Sequence, residues 1–292
     1  MPAAALAESG LASPVTLDTL GVVDQILVTK ASGQKEPFSE EKVLRSVRRV
    51  GIPDQMAEQV LAHVKKFLRP DIPTREIYQH ILEFLDKSQP IARTKFSLRE
   101  ALMQLGPSGY PFEDYIARVL THYGYDTQVG LILQGKCISH EVDVVAQKDG
   151  QKYMLECKYH NQWGTRTDAK VALYVKSRFD DLASNQQFNQ GWIVTNTKCT
   201  SDAIDYANCS GLKVISWGYP ETENLQQLIE SASLYPITCQ VSLSSAQRQR
   251  LIKMGLVLCQ DLKNLAPESA SQIGLSSSQY QDLQQELVTL LP

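Results

Sequence analysis

The segment from His140 to His160, HEVDVVAQKDGQKYMLECKYH, constrains the fold more than any other part of this 292-residue chain. Residues 141–147 and 151–159 have the apolar character of two strands. The dipeptide Asp149-Gly150 joins them, and it suits the positive-φ positions of a tight hairpin turn. The sequence therefore predicts two antiparallel neighbours in one sheet.

Charged residues of this hairpin are candidates for a metal site. Asp143 lies in the first strand, and Glu156 and Lys158 form an E-x-K pair in the second, so alternation puts that pair on one face and Cys157 on the other. Two carboxylates on adjacent strands can share Mg²⁺ or Mn²⁺, and the main-chain carbonyl of Cys157 can add a third oxygen. Lys158 could orient or help deprotonate an attacking water, or offset charge on a phosphoryl oxygen. The same pattern also occurs as the solvated face of an ordinary hairpin.

The order of elements around the hairpin favours the site. Upstream, PFEDYIARVLTHYGY has the apolar stripe of an amphipathic helix. Downstream, KVALYVKSRFDDL predicts a helix, GWIVTN a buried strand, SDAIDYANCSG a helix and LKVISW another strand. Over residues 109–220 this order, with its D…E-x-K set, resembles the PD-(D/E)xK nuclease superfamily, in the restriction-endonuclease-like branch that includes Mrr-type enzymes.

This resemblance implies a mixed sheet flanked by helices and a metal-dependent endonuclease acting on DNA. Asp143 and Glu156 would hold the metal, and Lys158 would position the nucleophile. Glu113 resembles the family's first-helix glutamate, which could assist a second ion or a water. His160 could approach the scissile phosphate, and Lys170 could reach the centre from the next helix or be an ordinary solvated lysine.

Residues 25–108 predict a small helical domain. A short strand, ILVTK, and a turn at residues 31–33 precede Ser39, which can cap a helix. Apolar periodicity predicts helices over residues 39–51 and 54–68, a third from Pro73-Thr74, and a fourth over residues 91–105.

This region resembles the ATP-cone, the nucleotide-binding regulatory module at the front of ribonucleotide reductases. The opening V-x-K-x-x-G is met by Val28, Lys30 and Gly33, and Lys42 and Thr74 match later motif positions. The resemblance implies that ATP or dATP binds as an effector at Val28, Lys30, Lys42 and Thr74, with the lysines on phosphates. Ala31 stands where many members have a second basic residue, which would alter phosphate affinity or nucleotide choice.

Two alternatives stay open for the N-terminal domain and for the tail. Lys30 and Lys42 could be exposed lysines of a domain that no longer binds nucleotide. Residues 221–292 predict four short helices after a break at Tyr235-Pro236, and the turn at residues 273–276 resembles a helix-hairpin-helix element. Ser276 replaces the usual second glycine, so DNA contact and a protein-interaction role are equally good interpretations.

Composition limits the function classes. A net charge of −3 means that any contact with DNA must be local. The six cysteines are scattered without a C-x-x-C pair or nearby His spacing, so the sequence suggests neither a disulfide framework nor a zinc site. No run approaches the roughly 20 apolar residues of a membrane span, and no signal peptide is evident, so we expect a cytoplasmic protein that binds no membrane.

The sequence thus predicts an α/β and α multidomain protein. Its parts are a flexible lead at residues 1–24, an ATP-cone-like domain at 25–108, a nuclease domain at 109–220 and a helical module at 221–292. We expect a homo-oligomer in which nucleotide sets the spacing of two active sites. The alternatives are a non-catalytic, nucleotide-responsive regulator that binds DNA through a nuclease fold, and a nuclease acting on RNA.

Overall fold

A computed structural model describes residues 26–291, so the lead expected at residues 1–24 lies outside the described part. The chain forms a helical N-terminal region, a central mixed sheet with helices on both faces, and a helical C-terminal region. Within residues 26–291, no helix has both the length and the apolar character needed to cross a membrane.

The N-terminal region combines a small sheet with four helices. Strand β1 pairs antiparallel with β2 and parallel with β3, which gives the order β2-β1-β3. As predicted, Ser39 caps the first helix, because its side-chain oxygen accepts the N–H of Lys42 at 3.2 Å. The elements are β1 Leu27–Thr29, β2 Lys35–Pro37, α1 Glu40–Arg48, α2 Asp54–Lys65, β3 Ile72–Pro73, α3 Thr74–Ser88 and α4 Pro90–Phe96.

The single helix predicted over residues 91–105 is wrong, because α4 ends at Phe96 and a separate helix, α5, spans Leu98–Met103. Ser97 lies between them at φ −83° and ψ 3°, outside helical geometry, and its hydroxyl donates to the carbonyl of Thr94 at 3.0 Å. Phe96 packs in the N-terminal core, whereas Leu98 packs in the larger core of the central sheet. The break therefore lets consecutive helices serve two different cores.

The central sheet has the strand order β10-β8-β6-β5-β4. Strands β4, β5 and β6 pair antiparallel, whereas β6, β8 and β10 run parallel, so the sheet is mixed as predicted. A separate pair, β7 and β9, is parallel. The elements are α6 Tyr110–His122, β4 Asp126–Gln134, β5 Ser139–Lys148, β6 Gln151–Lys158, β7 Arg166–Thr167, α7 Ala169–Gln186, β8 Gln190–Thr195, β9 Lys198–Cys199, α8 Ser201–Cys209 and β10 Lys213–Ile215.

The hairpin of β5 and β6 forms as the Asp149-Gly150 turn predicts, with φ of 52° and 74° at those two residues. Alternation along β5 is interrupted near Asp143, because Val142 and Val145 both pack in the core under α7 and α8. On the opposite strand Gly130, at φ 66°, lies between the pairs Val129↔Val144 and Leu131↔Val142. Such irregularities redirect side chains beside active sites.

The C-terminal region is less regular than the sequence predicts. The stretch VLCQDLKNL forms only a 3₁₀ turn at Cys259–Leu262, because the carboxylate of Asp261 accepts the N–H groups of Val257 and Leu258 at 3.2 and 3.0 Å. Leucines of this region pack in the same core as α6. The other elements are α9 Leu225–Ser231, a 3₁₀ turn at Ile237–Cys239, α10 Ser245–Lys253, α11 Pro267–Gln272 and α12 Ser277–Leu290.

The N-terminal region contacts the loop that follows β6. Gly164 has φ 85°, and a Cβ added there would lie 3.0 Å from the Cβ of Ala31. The rings of Tyr78 and Trp163 pack in a tilted arrangement, with centroids 5.6 Å apart. The absence of a side chain at position 164 therefore allows the close approach to Ala31.

Candidate active site

The acidic residues of the hairpin meet where β5 and β6 part. Backbone pairing ends at Val144↔Leu155, and beyond it the side chain of Asp143 accepts the N–H of Cys157 at 2.7 Å. Glu156 is buried, and its Oε1 lies 2.5 Å from Nζ of Lys158. The E-x-K pair therefore shares one face as predicted.

Glu113 joins this cluster from the first turn of α6, and its side chain is buried. Burial first, and then the negative charges of Asp143 and Glu141, raise the pKa of Glu113 to about 7. Burial and the charge of Glu156 raise the pKa of Asp143 to about 6, although the Cys157 N–H and nearby cations act in the opposite direction. The cluster thus contains carboxylates that repel one another and are partly shielded from solvent.

Two cations offset this charge at Glu156. Burial, the largest single effect, would lower the pKa of Lys158, but its hydrogen bond to Glu156 and the negative charges of Glu156 and Asp143 together raise the pKa, so the side chain is an ammonium ion at neutral pH. Arg178, from α7, pairs through Nη1 with Oε2 of Glu156, and both side chains are buried. Each oxygen of Glu156 therefore faces one cation.

Arg178 was missed from the sequence, where Lys170 was the choice on the same helix. Lys170 is exposed at the start of α7, and its backbone N–H donates to the Asp168 side chain at 3.1 Å. A signal for Arg178 was present in the sequence, because it falls on the helical stripe of Val175 and Leu182, which are buried. A charge inside an apolar stripe indicates a buried partner.

His160 lies in the loop directly after β6. Burial first, and then the charge of Lys158, lower its pKa, and its Nε2 hydrogen-bonds Oγ1 of Thr167 at 3.2 Å. The backbone of His160 is held by Asn196, whose side chain accepts the His160 N–H at 2.9 Å and donates to its carbonyl at 2.7 Å. The loop is thus fixed to the end of β8.

Neither Thr195 nor Asn196 caps the helix that follows β8. Thr200 caps α8, because its Oγ1 accepts the N–H of Ala203 at 3.2 Å. Asn196 holds the loop instead, and Oγ1 of Thr195 accepts from Thr167 at 3.3 Å.

The donor set at Asp143 and Glu156 fits a hard divalent cation. Both side chains offer carboxylate oxygens, which Mg²⁺ and Mn²⁺ prefer, and their mutual repulsion would be relieved by a positive ion. Within residues 26–291, one group of three side chains has its possible metal-ligand atoms within 4.8 Å of one another. It consists of His63, His80 and Glu83 and does not include Asp143 or Glu156. The Asp143–Glu156 pair therefore needs a main-chain oxygen, such as that of Cys157, or water to complete a coordination shell.

The predicted nucleotide-binding residues lie around one carboxylate that the sequence analysis missed. Nζ of Lys30 and Nζ of Lys42 lie 2.7 and 3.1 Å from Oε2 of Glu36, and these hydrogen bonds lower its pKa. Lys42 and Thr74 line a cavity of about 220 Å³ with the buried Val28 of β1 and with Glu36. Lys30 and Thr74 also line a larger cavity of about 680 Å³ at the junction with the loop after β6.

The turn at residues 273–276 is held by the preceding helices. Gly274 has φ 85°, and its carbonyl accepts from Gln247 at 2.7 Å, while the carbonyl of Ile273 accepts from Arg250 at 2.8 Å. Ser276 caps α12 by accepting the N–H of Gln279 at 3.2 Å. The turn is therefore anchored by α10, and Ser276 serves as the cap of the last helix.

Family models match two parts of the chain. The model described as "Restriction endonuclease", Mrr_cat, matches residues 106–219, and the model described as "AF1548-like, C-terminal" matches residues 235–291. The first match covers the hairpin, the E-x-K pair and the flanking helices. The nuclease-like part of the interpretation made from the sequence is thereby confirmed.

An uncharacterized protein of Archaeoglobus fulgidus is 40% identical over 168 residues, which cover 58% of this chain and 95% of that protein. A crystal structure described as that of protein of unknown function AF1548 is 38% identical, with a TM-score of 0.55 over 63% of this chain and 98% of that one. A structure of Can2 from Sulfobacillus thermosulfidooxidans with cyclic tetra-adenylate is only 12% identical, with a TM-score of 0.32 over 68% of this chain and 63% of that one. The high identity over nearly the whole Archaeoglobus protein means that this chain belongs to the AF1548-like family, with a restriction-endonuclease-like domain at its centre.

Proposed function

We propose that this protein is a divalent-metal-dependent endonuclease that hydrolyses phosphodiester bonds in DNA. The observation that carries the proposal is the carboxylate pair of the half-buried Asp143 and the buried Glu156 with Lys158 beside it, inside the restriction-endonuclease-like part of the chain. Pure structural carboxylates have no reason to be placed together at a repulsive cost.

Asp143 and Glu156 would hold Mg²⁺ or Mn²⁺, which supplies Lewis-acid chemistry to a phosphoryl oxygen when bound. Glu113, with a pKa of about 7, is suited to accept a proton from water near neutral pH. Lys158 is held as an ammonium ion, so its role is to offset negative charge on the phosphoryl group rather than to remove a proton. Arg178 would fix the orientation of Glu156, and His160 would contact the phosphate from the adjacent loop.

We further propose that ATP or dATP binds the N-terminal region as an effector. Lys30 and Lys42 converge on Glu36 beside Thr74, so phosphate oxygens could take the place of that carboxylate on the two ammonium groups. The domain limits at residues 25–108, 109–220 and 221–292 are also part of this proposal. Helix α5 lies within the first of these ranges but packs in the core of the central sheet. A nucleotide-dependent homo-oligomer would link the effector site to the spacing of two active sites.

One observation favours a second candidate, a non-catalytic regulator that binds DNA and responds to nucleotide. Both oxygens of Glu156 are engaged by Lys158 and Arg178, so this carboxylate is neutralised without a metal. A nuclease fold kept only as a binding platform would carry such a closed ion-pair network.

Cleavage of supercoiled and linear plasmid DNA tests these candidates. The assay compares the parent with Glu156→Gln and Lys158→Ala, in Mg²⁺ or Mn²⁺ and with or without ATP or dATP. Glu221→Gln is the matched control, because Glu221 is exposed on the loop before α9. An RNA substrate in a parallel reaction checks for a nuclease acting on RNA.

Metal-dependent nicking that is lost in both site variants and kept in the control is the expected result. Binding of DNA without cleavage under every metal and nucleotide condition would replace the nuclease by the regulator. An oligomer distribution that no nucleotide changes, measured by light scattering, would remove the regulatory part of the proposal.

A further inference from the structure

Four cations converge where the N-terminal region meets the central sheet, and we call them the junction cluster: Lys30, Arg99, Arg166 and Lys198. Burial first, and then the positive charges of Arg99, Arg166 and Lys30, lower the pKa of Lys198. Lys30 is paired with Glu36, but within residues 26–291 the other three have no carboxylate oxygen within 4.0 Å. The cluster therefore carries positive charge that the described chain leaves uncompensated.

Two members of the cluster are directly opposite each other in a β-pair. Arg166 of β7 and Lys198 of β9 are register partners in the two-stranded parallel sheet. Like charges directly opposite each other on paired strands are destabilising. An anion bound between them would turn this repulsion into a binding interaction.

Arg99 supplies hydrogen-bond donors to the same place. Its guanidinium lies between two tryptophan rings, with Cζ 5.1 Å from the centroid of Trp163 and 5.9 Å from that of Trp217. Nε of Arg99 is buried and has no hydrogen-bond partner within the described part of the chain. The stacking holds the guanidinium in a fixed position while its charge remains without an acidic partner.

The junction cluster is connected to the candidate active site by the loop after β6. Thr167, which follows Arg166, hydrogen-bonds His160 at 3.2 Å and Thr195 at 3.3 Å. On the other side, Lys30 and Trp163 both line the cavity of about 680 Å³ at the junction. The cluster thus lies between the catalytic loop and the N-terminal region.

We propose that the junction cluster binds the sugar-phosphate backbone of DNA beside the bond to be cut. The proposal rests on the proposed nuclease function and adds that the N-terminal region forms part of the substrate-binding surface. A chain with a net charge of −3 can hold a polyanion only through a local set of cations such as this one. Repeated phosphates match several cations spread over neighbouring elements, and Trp163 offers a ring on which a base can stack.

DNA binding measured over a salt series tests the proposal. Fluorescence anisotropy of a labelled duplex, with Ca²⁺ in place of Mg²⁺, compares the full parent chain with Arg166→Ala, Lys198→Ala and the double variant. Lys253→Ala is the matched control, because Lys253 is an exposed lysine at the end of α10. Removal of one cation from the phosphates should reduce the slope of log K against log salt by about 1, and the double variant should reduce it by about 2.

Thermal unfolding separates binding from a structural role. Because Arg166 and Lys198 repel each other, each single variant should keep or raise the unfolding midpoint while it weakens DNA binding. A lower midpoint with unchanged DNA binding would overturn the proposal and make the two residues structural.

The outcomes distinguish this proposal from the nuclease. If the parent cleaves DNA and the cluster variants show an unchanged salt slope, the role of the junction cluster is rejected and the nuclease function is retained. If the parent binds DNA through the cluster but does not cleave it, the role of the junction cluster is retained and the nuclease function is rejected. Loss of ATP binding in the variants, with DNA binding intact, would assign the cluster to a free nucleotide and overturn the backbone assignment, and a parent that binds no DNA would overturn both.

Discussion

At the scale of single residues, Glu156 and Arg178 form a buried ion pair in the candidate site. Both side chains are buried, so neither charge can be solvated when its partner is removed. Lys158 already occupies the other oxygen of Glu156 and cannot take over the role of Arg178 without leaving it. The metal-free protein therefore depends on Arg178, and a bound cation would compete with it.

We expect Arg178→Met to reduce the free energy of unfolding of the metal-free protein by about 3–5 kcal/mol, because a buried carboxylate loses its partner. Mn²⁺ should restore a larger part of the stability in this variant than in the parent. Thermal unfolding with and without Mn²⁺ measures both effects. Arg45→Met, at an exposed arginine of α1, is the control, and equal losses in the two variants would contradict the prediction.

The raised pKa values of Glu113 and Asp143 predict how stability depends on pH. Their folded-state pKa values of about 7 and about 6 lie above those of the unfolded chain, so the folded state binds more protons between about pH 4 and pH 7. Without metal, these two groups should therefore lower stability as the pH rises through that window. Unfolding midpoints from pH 5 to 8 test this, and Glu113→Gln with Asp143→Asn should flatten the curve.

Metal binding should have the opposite dependence on pH, because the ligands must lose their protons first. The stabilisation of the parent by Mn²⁺ should grow from pH 5 to pH 8, with protons released on binding. A stabilisation by Mn²⁺ that is equal at both pH values would show that the raised carboxylates do not hold the ion.

At the scale of elements, the loop after β6 is positioned by the end of β8. The side chain of Asn196 satisfies both backbone groups of His160, and Asn196 itself is fully buried. The strand parallel to β6 therefore determines where the loop from His160 to Thr167 lies.

Asn196→Ala should expose this dependence. It leaves the N–H and the carbonyl of His160 without a partner, at a cost of about 1–3 kcal/mol for each group that stays buried. Hydrogen exchange should rise in residues 160–167, and cleavage should fall. Asn208→Ala is the control, because Asn208 bonds the hydroxyl of Tyr219 away from this loop, and equal exchange in both variants would contradict the prediction.

At the scale of the whole molecule, the contact of Gly164 with Ala31 joins the N-terminal region to the loop after β6. Arg49 adds an ion pair to Glu230 at 2.7 Å, but exposed pairs of this kind contribute little. Packing at residue 164 is therefore a contact through which a change in the N-terminal region would reach the loop after β6.

Gly164→Ala tests this contact against a matched glycine. Both Gly164 and Gly211 have positive φ, at 85° and 77°, so alanine at either costs about 1 kcal/mol of backbone strain. A Cβ at residue 211 meets nothing within 4 Å, whereas one at residue 164 meets Ala31. We expect only Gly164→Ala to raise hydrogen exchange at residues 30–31 and 161–164, and equal effects would mean that the contact does not hold the junction.

The sequence by itself determined the hairpin, the shared face of Glu156 and Lys158, the helix stripe of α6 and the Ser39 cap. These features follow from alternation, from helical periodicity and from turn chemistry, all of which act over a few residues. Only the tertiary structure decided which side chains meet across elements. Arg178 on Glu156, Asn196 on His160 and the split of residues 91–105 between two cores all depend on packing between segments distant in the chain, and local patterns carry no information about such distances.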